Sequence, residues 1–107
     1  MDDETPVLDT IALMTAASVD SCDLDPRELM LARIAALAAV GAPPVSYLAN
    51  AGTAADLGLT LEDVQGVLVA VAPIIGTALT VTAAGNIARA LGFAIAAIED
   101  ELEAELD

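Results

Sequence analysis

The residues with which proteins do acid–base and nucleophilic chemistry at neutral pH are nearly absent from this chain. It has no histidine, no lysine and a single cysteine, Cys22. Histidine is the only side chain whose unperturbed pKa lies near neutrality. Lysine would supply a Schiff base, and paired cysteines a redox couple or a metal cage. All three are excluded. What remains is acidic side chains, three arginines (Arg27, Arg33 and Arg89), one tyrosine, and scattered hydroxyls and amides. A serine nucleophile would lack a His or Lys base to activate it. Cys22 cannot form an internal disulfide, and its expected role is that of a small buried hydrophobe. Arg33, in the middle of an alanine-rich segment, is expected to form a structural ion pair, with an anion clamp as the alternative. No metal or cofactor site is read from the sequence.

The elements that would position these groups are helices. At 107 residues the chain is one domain with a single modest core. Hydrophobic residues make up 57% of it, yet aromatics only 2%, so the apolar content is Ala, Val, Leu and Ile. Small side chains bury little area each, at roughly 25 cal/mol per Å², so homo-oligomerisation is expected to complete the burial. Seventeen Asp and Glu give a net charge of −14. Phosphate backbones and anionic lipid surfaces repel such a chain, and neither nucleic acid nor membrane is expected as a partner. The acids cluster at the ends, in Asp2-Asp3-Glu4 and in the tail 99–107. No basic, apolar leader precedes the first helix, so a cytoplasmic location is expected.

Periodicity is helical throughout and predicts an all-α bundle of five or six helices. Thr5-Pro6 opens the first, with Val7, Leu8, Ile11, Leu13 and Met14 as its apolar side and an end near Asp20. Asp25-Pro26-Arg27-Glu28 opens the second, which carries Leu29, Ile34 and Leu37 inward and stops at Gly41. A third runs over Val45 to Leu57 and ends at Gly58. Thr60-Leu61-Glu62-Asp63 is a box-like start to an uncharged run, 64–88, with Val64, Leu68 and Val71 inward. Pro73 predicts a kink or break across 72–76. That interruption, and the absence of aromatic anchors, argue against a membrane span. Thr77 is expected to cap the last helix, which carries Leu79, Ile87, Leu91 and Ile95, with Gly85 and Gly92 at close crossings.

One stretch has a familiar order. Ala54, Gly58-Leu59-Thr60, Glu62-Asp63-Val64, Val67-Leu68 and Gly76 resemble the carboxymuconolactone decarboxylase family, which includes the alkylhydroperoxidase-like proteins. The resemblance reaches back through Asp25-Pro26-Arg27-Glu28-Leu29 and covers about 25–91. It implies an alkylhydroperoxidase-like helical fold assembled as a trimer or hexamer. The chemistry does not carry over. The peroxide-reducing branch has Cys-x-x-Cys and then His, at positions that are Pro43, Ser46 and Asn50 here. The decarboxylase branch uses the same His, a Glu that corresponds to Gly66, and a Tyr that corresponds to Ile74, with Gly76 retained.

A pocket at the family's position would be lined by Ser46, Tyr47 and Asn50, with Thr77, Arg33 or Glu28 as further candidates. Ser46 and Asn50 share a helix face, as do Tyr47 and Asn50. These groups could hold a small molecule by hydrogen bonds, or could simply decorate a helix at a subunit contact. Two functions stay open: a homo-oligomeric scaffold or small-molecule binder without peroxidase or decarboxylase activity, and an active lactone decarboxylase or hydroperoxide reductase-like enzyme using other residues. The tail is expected to be solubilising charge, with Leu102 and Leu106 docking on a basic partner as the alternative.

Overall fold

The computed structural model describes residues 4–106. Asp2, Asp3 and Asp107 of the acidic ends lie outside the described residues, as does the side chain of Leu106. Five helices follow one another: α1 (Pro6–Ser21), α2 (Pro26–Ala39), α3 (Pro44–Asp56), α4 (Leu61–Ile75) and α5 (Thr77–Leu106). No strand occurs among the described residues.

The breaks between helices follow local chemistry. Asp25 caps α2 by accepting the Glu28 amide at 3.0 Å, with Pro26 in the first turn, where its missing N–H costs nothing. Gly41 ends α2 at φ +68° and Gly58 ends α3 at φ +75°. Both ends are Schellman turns: Ala42 N–H reaches the Leu37 carbonyl and Leu59 N–H reaches that of Ala54, each at 3.0 Å. Thr60 and Asp63 form a reciprocal capping box at the start of α4. Pro73 sits inside the last turn of α4, and the chain breaks three residues later at Gly76, φ +89°. Gly76, not Thr77, precedes the first turn of α5, since its carbonyl accepts the Thr80 amide at 3.1 Å. The uncharged run is therefore divided between two helices, with the break inside the expected interval 72–76.

Helices α2, α3, α4 and α5 pack together, with α2 against the other three and α5 most extensively against α3. The buried apolar side chains among the described residues are few: Met30, Ile34 and Ala38 from α2, Ala42, Tyr47 from α3, and Ala83 and Ala90 from α5. Asn86 is the one buried polar residue among those described. Its amide donates to the Ala42 carbonyl at 3.0 Å and so ties α5 to the α2–α3 turn. Leu29 and Leu37 are half-buried, as are Val64, Leu68, Val71, Leu79 and Ile87.

Two expectations fail for one reason: apolar residues at helical spacing face outward as well as inward. The apolar side of α1 is uncovered, and no Cα of that helix comes within 8 Å of another helix. Leu91 and Ile95 of α5 are exposed. Gly85 and Gly92 have no heavy atom within 4 Å of where a Cβ would stand, so neither marks a close crossing. Cys22 is half-buried. The α1 helix extends to Ser21, one residue beyond the expected end.

The dimensions carry the same message. The radius of gyration is 15.4 Å, against about 13 Å for a compact domain of this length. Helix α5 spans 30 residues, about 45 Å, nearly the whole 48 Å long axis. Its acidic end, residues 99–105, is exposed throughout.

Candidate functional site

The expected pocket residues lie on α3, the short helix that follows the Gly41 turn. Tyr47 is 8% exposed and its hydroxyl is buried with no hydrogen-bond partner among the described residues. Burial raises its pKa above the ordinary value of 10.0, because the phenolate would be poorly solvated there. Asn50, one turn on, donates its Nδ2 to the Ser46 carbonyl at 2.9 Å. That bond orients the amide and leaves its oxygen free to accept. Ser46 is half-buried and contributes its carbonyl rather than its hydroxyl.

Two spaces meet at Asn50 and Leu37. The inner one, about 70 Å³, lies between α2, α3, α4 and α5 and is walled by Ile34, Leu37, Tyr47, Asn50, Val64 and Ile87. The outer one is an open groove of about 350 Å³ between α1 and the α2–α3 pair. Its walls are Ile11, Met14, Thr15 and Ser18 from α1, Arg33, Ala36 and Leu37 from α2, and Asn50. Asn50 and Leu37 thus line both spaces. Two further apolar clefts, about 260 and 230 Å³, flank α5 against α4 and α3.

Arg33 reaches across the outer groove and donates to the Ser18 hydroxyl at 3.1 Å. It forms no ion pair among the described residues, so the expected acid partner is absent. The other two arginines are engaged elsewhere. Arg27 pairs with Asp63 at 2.8 Å, and Arg89 donates to the Asn86 side chain at 3.0 Å. Glu28 is exposed beside Asp25, and Thr77 is exposed at the start of α5, so neither joins the groove. Of the six candidates, Tyr47, Asn50 and Arg33 border one or both of these spaces.

The electrostatics outside the groove are structural. Asp63 is held below the ordinary carboxylate range by the Thr60 amide and then by Arg27. Asp25 is held low chiefly by the Glu28 amide it caps. No group of three His, Cys, Asp or Glu able to hold a metal occurs among the described residues. Sequence reasoning missed Asn86, although it is the one asparagine in the uncharged run and a buried amide there needs a partner. It also missed Ser18 as the partner of Arg33.

With this geometry in hand, comparison with known proteins identifies no relative: no family model, no curated protein and no solved structure matches the chain.

Proposed function

We propose that the chain is a self-assembling helical scaffold that binds a small molecule and does no peroxidase or decarboxylase chemistry, a member of the carboxymuconolactone decarboxylase-like group that has kept its bundle and lost its reactive residues. The observation that carries it is uncovered area. The chain exposes 7320 Å², whereas a folded monomer of its 10.7 kDa mass is expected to expose about 5,500 Å². The excess, roughly 1,800 Å² on that scaling, exceeds the about 800 Å² each partner gives to a standard interface.

Part of the uncovered apolar area lies on α1, and part forms a regular seam on α5. Leu91, Ile95, Ile98 and Leu102 are 47%, 48%, 56% and 54% exposed, and they recur at spacings of four, three and four, the seam of a coiled coil. A second copy of α5 laid antiparallel covers this seam. It sets Ile95 opposite Ile98 and Leu91 opposite Leu102, and brings Glu105 beside Ala88 and Arg89. A parallel arrangement instead stacks two acidic ends on each other. A two-fold contact favours an even number of copies, a hexamer over a trimer. Val69 and Ile74 of α4 are also exposed.

A membrane reading has one observation in its favour. Helix α5 contains, within Thr77–Glu105, an 18-residue window of mean hydropathy 1.5, long and apolar enough to cross a bilayer by length and composition. Against it stand the acidic end of α5 and the coiled-coil spacing, which a lipid-facing helix does not need. Expression without detergent, sedimentation and a hydroperoxide turnover assay test the proposal together. A soluble oligomer without turnover supports it. Turnover abolished by Asn50→Ala, or a chain found only in the membrane fraction, overturns it.

A further inference from the structure

We infer that the outer groove is a binding site for an aliphatic monocarboxylate, anchored by Arg33. This deepens the reading of the chain as a binder and rests on it. The recognition follows from what Arg33 is and what surrounds it. A guanidinium presents five donors in a planar fork that matches a carboxylate. One is used, on Ser18. In a chain with seventeen acids and three basic residues, Arg33 is half-buried and is paired with no carboxylate among the described residues.

The groove's other walls define the rest of the ligand. Among the described residues no acid lines it, and its polar contributions are the uncharged Thr15, Ser18 and Asn50. Ile11, Met14 and Leu37 supply an apolar floor beside the cation. One positive charge next to apolar walls suits one carboxylate on an aliphatic body. A phosphate or dicarboxylate would want a second cation, and none lines the groove. The volume, about 350 Å³, lies at the lower end of the range for small-molecule sites. The −14 charge of the chain does not veto an anion here, because salt screens exposed charges beyond about 8 Å at physiological ionic strength.

The test uses octanoate on the full chain. Binding is followed by calorimetry and by the emission of Tyr47, which is the sole tyrosine in a chain without tryptophan and which shares Leu37 and Asn50 with the groove through the inner space. Octanoate is expected to saturate at one per chain. Arg33→Gln should weaken it about 10- to 100-fold, the worth of a charge-assisted hydrogen bond, while Arg27→Gln, an equal change of charge outside the groove, leaves affinity unchanged. Shortening to hexanoate should cost about fourfold per methylene. Ala36→Phe, which fills the groove with Arg33 intact, should abolish binding. Assembly mass is measured on the same samples, so loss of the site and loss of the scaffold are read separately. Octanol binding as tightly as octanoate, competition by inorganic phosphate, wild-type affinity in Arg33→Gln, or absence of saturation overturns the inference. So does an Ala36→Phe chain that changes assembly mass, which assigns the groove to a second copy.

Discussion

Replacing Ile95 and Ile98 together by alanine removes the centre of the exposed α5 seam. About half of each side chain is still uncovered, at 48% and 56% exposed. Full burial of such a side chain contributes about 1.5–3 kcal/mol, so the uncovered half offers about 1 kcal/mol to a partner. In an antiparallel two-fold contact each substitution occurs twice, and four truncated side chains withdraw roughly 3–4 kcal/mol. Self-association through α5 should weaken roughly 200- to 1,000-fold. The single chain should survive, because alanine is the better helix former by a few tenths of a kcal/mol per site. Sedimentation velocity over a dilution series reads the effect, with helical circular dichroism as the folding control. A double variant that keeps the wild-type dependence of mass on concentration, with helicity intact, refutes the α5 contact.

Other perturbations test the fold beneath the site. Thr60→Ala removes half of the capping box and should cost about 1 kcal/mol, read as a Tm lower by roughly 4–8 °C at matched concentration. Gly58→Ala meets no neighbour within 4 Å, so its cost should be the backbone penalty alone, about 1–2 kcal/mol for a left-handed residue, read in the same melt. Asp63 titrates lower in the folded state than in the unfolded, so its contribution is present above the unfolded carboxylate pKa and lost as pH falls through the folded one. Asp63→Asn should flatten the acid limb of the Tm–pH curve. Tyr47 titrates higher when folded, so its phenolate absorbance should appear above the ordinary tyrosine range, and stability should fall as pH rises through that interval.

Much of the bundle was legible because its punctuation is local. An aspartate before Pro26, glycines at 41 and 58 and a Thr60–Asp63 pair act within four residues of themselves, and each made the turn its chemistry dictates. Pro73 signalled an interruption, yet the chain breaks where Gly76 can adopt positive φ rather than at the proline. What periodicity could not tell is which apolar face looks inward. Helix α5 has two: Ala83, Asn86 and Ala90 pack on the bundle, and Leu91, Ile95, Ile98 and Leu102 do not. The same ambiguity hid the uncovered side of α1. At the site, helical spacing put Tyr47 and Asn50 close along α3, but the meeting of Arg33 with Ser18, fifteen residues apart, depends on how α1 lies over α2. Nothing local encodes that.

The mass of the wild-type chain in solution, by sedimentation at micromolar concentration without detergent, tests the central proposal most directly. A self-assembling scaffold predicts an even multiple of 10.7 kDa that dissociates on dilution only after the α5 seam is cut. A stable, soluble species at 10.7 kDa over the whole concentration range contradicts it.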